Sequence, residues 1–246
     1  AAGSVTKSVS LVRTGQSAEA PYPGGSPRMG AVAMPDGSVT FCLAAPGKSN
    51  AMLVGSWDGY KVSAASVMSK TTVGGISYFW TTVKGISDGR DHIYYFLVDG
   101  NTPVGDPYAR LVLDPWNDRY ISSDVFPDMP LYPSDAVQNT PVAVYNSTMD
   151  DYAWRVTSFK GVPQSDLIIY ELLIRDFTGT EGQSRGEGTV QGVIGKLDYL
   201  EELGVNAIEL LPIMEFNGNN SWGYNTNFYF APDKAYGSPK DLSLIH

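Results

Sequence analysis

A nearly continuous apolar run at residues 167–174 is followed by a helical repeat and then by a second apolar run. The first run reads Leu-Ile-Ile-Tyr-Glu-Leu-Leu-Ile, which is typical of a parallel strand covered on both faces. The second run, at 207–211, stops at Pro212. Two such strands joined by a helix form a right-handed βαβ unit. This part of the chain therefore predicts a parallel sheet.

The segment between the two runs carries apolar residues at helical spacing. They are Val190, Val193, Ile194, Leu197, Leu200 and Leu203. Thr189 stands where an N-cap is expected, and Gly204 stands where a left-handed residue ends a helix. Ser238, Pro239 and Asp241 carry the same kind of signal for the start of another helix. Two parallel strands cannot bury their own faces, so we expect this to be the front of a larger fold.

The preceding half of the chain has a different pattern, with short alternating apolar runs separated by turns. The runs lie at 38–43, 51–55, 78–83 and 92–98, and this spacing predicts an antiparallel β-sandwich. The chain has 26 Gly and 15 Tyr but only 17% charged residues, which favours a β-rich fold over helical bundles or disorder.

These patterns divide the chain into four parts. Residues 1–28 form a poorly patterned leader, and 29–133 form the sandwich with an extended connector that is rich in proline. Residues 134–165 are expected to be a linker, and 166–246 carry the βαβ unit and the start of the next helix. The small, polar N-terminus could be a mature end after cleavage or an arbitrary boundary. We therefore favour an exported location over a cytoplasmic one.

The charge and the apolar pattern exclude several classes of partner. A formal net charge of −9 with no cluster of Lys and Arg argues against nucleic acid. No apolar run reaches the ~20 residues that span a bilayer, so no membrane partner is expected. The single cysteine, Cys42, lies in an apolar strand pattern and is predicted to be a buried thiol.

A polar loop after the second apolar run carries several aromatic rings and reads SWGYNTNFYFAPDKAYG. Aromatic faces pack against the C–H groups of sugars while the hydroxyls form hydrogen bonds at the rim. Tyr224 is the leading candidate for sugar stacking, with Trp222 and Asn225 as neighbours. Trp57, in a turn of the sandwich, either stacks on a sugar or pins its loop to the sandwich.

Three runs, at 168–178, 197–213 and 222–242, together closely resemble the opening of the catalytic (β/α)8 barrel of the alpha-amylase family of glycoside hydrolases. The sandwich, with GSWDGY and DPYAR, is similar to the N-terminal immunoglobulin-like module of branching enzymes, isoamylases and pullulanases. The resemblance implies a mixed fold, in which an immunoglobulin-like β-sandwich is followed by the first strands and helices of a truncated (β/α)8 TIM barrel.

The resemblance also implies an enzyme that acts on α-1,4 or α-1,6 linkages of starch, glycogen or pullulan by the retaining mechanism. In the family, the tyrosine matching Tyr224 stacks on the sugar at the cleavage subsite. The catalytic carboxylates lie on later barrel strands, so the resemblance assigns no catalytic residue here and this chain alone is expected to be inactive. It assigns no cofactor and no metal ligand.

The carboxylates that flank the two strands are interpreted as structural. Glu171 and Glu209 lie mid-strand, where hydrogen bonds within the barrel or a pair with Arg175 are expected, and Asp176 is expected to cluster with Arg175. The alternative hypotheses are a non-catalytic glucan-binding or scaffold protein, and a sandwich that only covers the barrel. The open strand edges also predict possible self-association.

Overall fold

The computed structural model describes residues 15–149, 152–154, 156–179 and 187–244. In chain order the strands are β1 (Gly30–Ala33), β2 (Val39–Ala44), β3 (Ala51–Gly55), β4 (Ser69–Val73), β5 (Ile76–Val83), β6 (His92–Val98), β7 (Thr102–Val104), β8 (Val112–Leu113), β9 (Val142–Tyr145), β10 (Ile169–Leu172), β11 (Ala207–Leu210), β12 (Met214–Phe216) and β13 (Thr226–Pro232). The α-helices are α1 (Ile174–Thr178), α2 (Val190–Ile194), α3 (Leu197–Glu202) and α4 (Pro239–Leu244). Among the helices in these ranges, none is long and apolar enough to cross a membrane.

Two antiparallel sheets form the first half of the described chain, as the alternating runs predict. One has the order β1-β2-β5-β4, and the other has the order β3-β6-β9-β8 with β7 paired to β6. Phe41 and Phe79 from the first sheet share a core with Leu53, Tyr94 and Phe96 from the second. These side chains alternate along their strands, so each sheet turns one apolar face inward.

The sandwich buries the polar side chains of Tyr94 and Asp106 and the thiol of Cys42. The Tyr94 hydroxyl donates to Asp106 Oδ2 at 2.7 Å, which satisfies both groups inside the core. Cys42 is buried, and burial raises the pKa of its thiol to about 12. The prediction of a buried thiol is therefore confirmed.

The strand β9 lies within the segment predicted to be a linker. It pairs with β6 and β8 in the second sheet, and Val142, Ala143 and Val144 are all buried. Residues 112–113 of the predicted connector form β8 in the same sheet. Such short strands are set by the partners that pair with them rather than by their own sequence pattern.

The parallel pair predicted from the two apolar runs is confirmed. β10 and β11 are parallel, with Ile169 opposite Ala207 and Leu172 opposite Leu210. The first strand is shorter than predicted, because α1 begins at Ile174. The expectation that both faces are covered is wrong for the described residues, since Ile169 is 55% exposed.

The helix between the two strands forms in two pieces, which corrects the expectation of one continuous helix. Thr189 caps α2, accepting a hydrogen bond from the Gly192 N–H at 3.3 Å. The helix ends at Ile194 before Gly195, and α3 begins two residues further on. Glycine is a poor helix former, which accounts for the break there. Gly204 has φ +88°, as predicted for the residue that ends the helix.

The start of α4 also follows its sequence signal. Ser238 N–H donates to Asp241 Oδ2 at 2.9 Å, and the Asp241 N–H donates to Ser238 Oγ at 3.3 Å. This reciprocal pair satisfies two N–H groups that a helix end otherwise leaves open.

A hairpin of β12 and β13 joins the parallel pair to the sandwich. Phe228 and Ala231 of β13 pack into the sandwich core, and Phe230 stacks on Tyr108 with ring centroids 4.6 Å apart. Gly105 permits this approach, because a Cβ there would lie 3.0 Å from Phe228 Cζ. The hairpin is therefore packed into the sandwich.

Candidate functional site

The residues that follow β10 and β11 meet at the carboxyl ends of the two strands. Arg175, after β10, donates through Nη1 to Asn220 Oδ1 and to the Ser221 carbonyl, the latter at 3.4 Å. Asn220 and Ser221 belong to residues 217–225, which follow β12 and are called the aromatic loop below. The guanidinium therefore ties the aromatic loop to the end of the neighbouring strand. In barrel enzymes this end of the strands carries the functional loops.

Hydrogen bonds within the aromatic loop hold its backbone. Ser221 Oγ contacts Asn225 Oδ1 and accepts from the Gly223 N–H at 3.0 Å. The Asn225 side chain donates through Nδ2 to the Asn217 carbonyl at 3.2 Å, and the Asn217 N–H donates to the Asn225 carbonyl at 3.2 Å. Both polar atoms of the Asn225 amide are thus used inside the loop, which favours a supporting role.

Gly223 allows the backbone of the aromatic loop to lie directly against the end of β11. It has φ +90°, and a Cβ built on it would lie 2.1 Å from the Pro212 carbonyl oxygen. Only glycine adopts this backbone conformation without strain and fits this gap. The position of the next residue, Tyr224, is consequently fixed by backbone contact.

The two rings of the loop point into solvent. Tyr224 is 71% exposed and Trp222 is 63% exposed. A fixed backbone that displays open aromatic rings is suited to binding a sugar face, because little freedom is lost on binding. The structure therefore brings Trp222, Tyr224 and Asn225 together, as the sequence predicts, and their binding role stays a prediction.

Trp57 lies in the sandwich, and its contacts are with the sandwich core. Its ring centroid is 5.5 Å from that of Phe41 and 6.5 Å from that of His92. A Cβ at Gly55 would lie 2.2 Å from Trp57 Cη2, so the ring covers that glycine. These contacts favour the alternative in which Trp57 pins its own loop.

The strand carboxylates differ in their surroundings. Asp176 accepts from Arg175 Nε at 2.7 Å, and that hydrogen bond lowers the pKa of Asp176. The predicted Arg175–Asp176 cluster is thus confirmed. Glu171 and Glu209 are directly opposite in the parallel register and both are exposed. The expectation that either pairs with Arg175 is wrong, because that guanidinium contacts Asp176 and the aromatic loop.

A buried ionic cluster lies behind the aromatic loop. Lys234 is 1% exposed, and its Nζ contacts Glu215 Oε1 and lies 3.2 Å from Asp118 Oδ1. Asp233 accepts from the N–H groups of Phe216 and Ala235 at 3.1 and 2.9 Å. The cluster joins the hairpin to the connector of the sandwich.

The charges of this cluster are shifted by their burial. Burial raises the pKa of Glu215 to about 8 and that of Asp233 to about 6, although Lys234 opposes both shifts. Burial acts to lower the pKa of Lys234, but the surrounding carboxylates raise it. The sequence carried no signal for this cluster, because Asp118 lies in a distant segment of the chain.

One further contact joins the aromatic loop to the sandwich. Asn219 Nδ2 donates to the Asn117 carbonyl at 2.8 Å. Sequence reasoning assigned neither residue a role, since an amide that bridges two loops leaves no periodic pattern. The loop is therefore held by Arg175 on one side and by the connector on the other.

A cleft of about 510 Å³ opens beside β10, α1 and α3. Its lining includes Glu171, Asp176, Lys196 and Tyr199 but not the rings of Trp222 and Tyr224. The exposed rings therefore form an open surface rather than a closed pocket. Within the described ranges, no three His, Cys, Asp or Glu side chains are grouped to hold a metal ion.

The comparisons with known proteins agree with this arrangement. Residues 171–246 match the family model described as Alpha amylase, catalytic domain. The chain is 38% identical over 158 residues to a malto-oligosyltrehalose trehalohydrolase from Saccharolobus solfataricus, covering 63% of this chain and 25% of that protein. It is 35% identical over 170 residues to the chloroplastic isoamylase 1 of Arabidopsis thaliana, covering 61% of this chain and 22% of the relative.

Two solved structures share the fold over most of the chain. A putative alpha amylase from Salmonella typhimurium has a TM-score of 0.62 at 28% identity, covering 88% of this chain and 30% of that one. The GBS pullulanase SAP in complex with maltotetraose has a TM-score of 0.59 at 25% identity, with the same coverages of 88% and 30%. The chain thus spans about a quarter of the length of the curated relatives it matches. These matches confirm the resemblance drawn from the sequence: the chain is similar to glycoside hydrolases of the alpha-amylase family, and its residues 171–246 match their catalytic domain.

Proposed function

We propose that this chain supplies the N-terminal immunoglobulin-like sandwich and the opening of the (β/α)8 barrel of a retaining enzyme that acts on α-1,4 or α-1,6 glucans. The observation that carries the proposal is the exposed Tyr224 ring, fixed at the carboxyl ends of β10 and β11 within the residues that match the catalytic domain. The two antiparallel sheets with their shared core support the sandwich assignment. The parallel pair with helices between its strands supports the barrel assignment.

In this proposal the Tyr224 ring forms a floor for one glucose unit. The C–H groups of the sugar pack on the ring face, and the sugar hydroxyls at its rim remain free to form hydrogen bonds. Gly223 and its contact with Pro212 hold the backbone that carries the ring in place. The ring can therefore position a glucan without itself taking part in bond cleavage.

Neither carboxylate that follows β10 or β11 is suited to the chemical step. A retaining enzyme needs a nucleophile and an acid/base carboxyl about 5–5.5 Å apart, both reaching the sugar. Asp176 is bound to Arg175, and Glu215 is buried against Lys234. Glu171 and Glu209 lie on adjacent strands, but inside the strands rather than after them. The proposal therefore places the catalytic pair on strands outside this chain.

The names of the relatives support a glucan substrate. They include an isoamylase and a malto-oligosyltrehalose trehalohydrolase, and one structural neighbour is a pullulanase in complex with maltotetraose. The net charge of −9 is compatible with an uncharged polymer such as starch, glycogen or pullulan.

Replacing Tyr224 by alanine should strongly weaken glucan binding by the chain. Affinity electrophoresis in amylopectin is expected to retard the wild-type chain, because a stacked ring supplies much of the contact with a neutral sugar. Tyr224→Phe keeps the ring and should keep most of the retardation. If Trp57→Ala loses the retardation while Tyr224→Ala keeps it, the sandwich is a binding module and the alternative function is favoured.

The purified 246-residue chain should release no reducing sugar from starch, glycogen or pullulan. The reason is that the carboxylates at the ends of its strands are held by Arg175 and Lys234. A reducing-sugar assay with the wild-type chain and with Glu209→Gln checks this expectation. Activity that co-purifies with the chain and disappears in Glu209→Gln would show that the strand carboxylates are catalytic.

A further inference from the structure

A turn of the sandwich connector presents two large rings to solvent beside the aromatic loop. The connector turn comprises residues 114–120 and reads Asp-Pro-Trp-Asn-Asp-Arg-Tyr. Trp116 is 45% exposed and Tyr120 is 70% exposed. Rings of this size usually contribute their area to a core or to an interface. Two of them on one exposed turn therefore indicate a binding surface.

Buried carboxylates hold the backbone of the connector turn rigid. Asp114 Oδ1 accepts from the N–H groups of Trp116 and Asn117 at 2.6 and 2.9 Å. Asp118 Oδ2 in turn accepts from the Asp114 N–H at 2.8 Å. Both aspartates are buried. The rings are thus displayed on a backbone with little freedom left to lose when a ligand binds.

The same turn is attached directly to the aromatic loop. Asn219 donates to the Asn117 carbonyl at 2.8 Å, and Lys234 lies 3.2 Å from Asp118 Oδ1. Asn117 follows Trp116 immediately, and Asn219 precedes Trp222 by a short stretch of the loop. Since consecutive Cα atoms are only about 3.8 Å apart, the two segments that carry the exposed rings are neighbours.

We propose that Trp116 and Tyr120 form an additional subsite for the α-glucan, which extends the surface of Trp222 and Tyr224 onto the sandwich side. This inference rests on the proposed function, because it assigns a longer path to the same ligand. The Arg119 guanidinium lies 4.8 Å from the centre of the Tyr120 ring. It offers donors to sugar hydroxyls beside an aromatic face, and a charged group there disfavours a purely apolar protein partner.

Such a subsite distinguishes long glucans from short ones. In this proposal a short sugar that is held at Tyr224 contacts the aromatic loop alone, whereas a longer chain contacts both surfaces. Trp116 should therefore contribute to the affinity for long chains only. Tyr224 should contribute to the affinity for chains of either length.

The test is isothermal titration of the 246-residue chain with maltotriose and with maltoheptaose. Trp116→Ala should weaken maltoheptaose binding by roughly tenfold, the loss typical of one well-packed anchor, and leave maltotriose binding unchanged. Trp116→Phe should recover most of the loss. Trp154→Ala serves as the matched control, because this half-exposed tryptophan lines a different cleft with Phe230 and Lys240, and it should bind both sugars as the wild type does.

The outcomes separate this inference from the proposed function. If Trp116→Ala binds maltoheptaose as tightly as the wild type while Tyr224→Ala is weakened, the subsite is refuted and the proposed function stands. If Trp116→Ala loses both sugars and its thermal unfolding shifts, the ring is structural and the subsite is also refuted. If the wild type binds neither sugar, or Tyr224→Ala binds both normally, the proposed function fails and the subsite fails with it.

Discussion

Replacing Lys234 by methionine should lower the free energy of unfolding by about 3–5 kcal/mol, the cost of breaking a buried ion pair by removing one partner. The ammonium group is the cation of the buried cluster, where it contacts Glu215 and Asp118. Methionine fills a similar volume but leaves these carboxylates uncompensated. Glu215 Oε2 has no hydrogen-bond partner among the described residues even in the wild type, so no second contact offsets the loss.

The size of this destabilisation should increase with pH. Burial raises the pKa of Glu215 to about 8 from its ordinary 4.5, so the folded chain binds this proton more tightly than the unfolded chain. Its contribution to stability is therefore complete below its ordinary pKa and decreases as the pH rises towards 8. Without Lys234, which favours the ionised form, the pKa of Glu215 rises further. Lys234→Met should consequently lose more stability at pH 8 than at pH 5.

Urea unfolding at both pH values measures this effect. Lys240→Met is the matched control, because Lys240 is exposed on α4 and its replacement should change the free energy of unfolding by less than about 0.5 kcal/mol. A Lys234→Met variant as stable as Lys240→Met, with no dependence on pH, would show that the cluster is hydrated and contributes little to the fold.

Replacing Gly223 by alanine should both destabilise the chain and abolish glucan binding through Tyr224. The new Cβ would lie 2.1 Å from the Pro212 carbonyl oxygen at a residue with φ +90°. The loop must then move away from the end of β11, which displaces the neighbouring ring. Amylopectin affinity electrophoresis and urea unfolding are the two measurements.

Gly218 provides the matched control within the same loop. It has φ +85°, and a Cβ there would meet no atom within 4 Å, so Gly218→Ala carries only the cost of a left-handed residue, about 1–2 kcal/mol. Gly223→Ala should exceed that loss by about 1–3 kcal/mol, as expected for overpacking. Equal losses and equal binding in the two variants would contradict the close contact with Pro212.

The features that the sequence predicted correctly depend on neighbouring residues. The helix ends at Thr189, Gly204 and Ser238 are set by the backbone within one turn of each residue. Such local signals can be recognised in the sequence. The parallel pairing of β10 and β11 is similarly indicated by the apolar runs. The exposure of the Tyr224 ring agrees with its place in a polar loop.

The features that the sequence did not predict depend on distant partners. β9 is a strand because β6 and β8 pair with it, and its own pattern resembles a linker. Lys234 is buried because Asp118 and Glu215 approach it from other segments. The exposure of Ile169 depends on which elements cover the parallel pair of β10 and β11. A periodic pattern indicates which side chains are apolar but not what lies opposite them.

The insertion of β13 into the sandwich limits how this module can be recombined. Phe228 and Ala231 fill part of the core whose walls are the two antiparallel sheets, and Gly105 leaves room for Phe228. A chimera that grafts the sandwich of this chain onto the barrel of a relative, without β13, would have a cavity or a steric clash at this point. A chimera that folds should therefore carry β13 (Thr226–Pro232) from the same protein as the sandwich, although β13 lies far along the chain from the other sandwich strands.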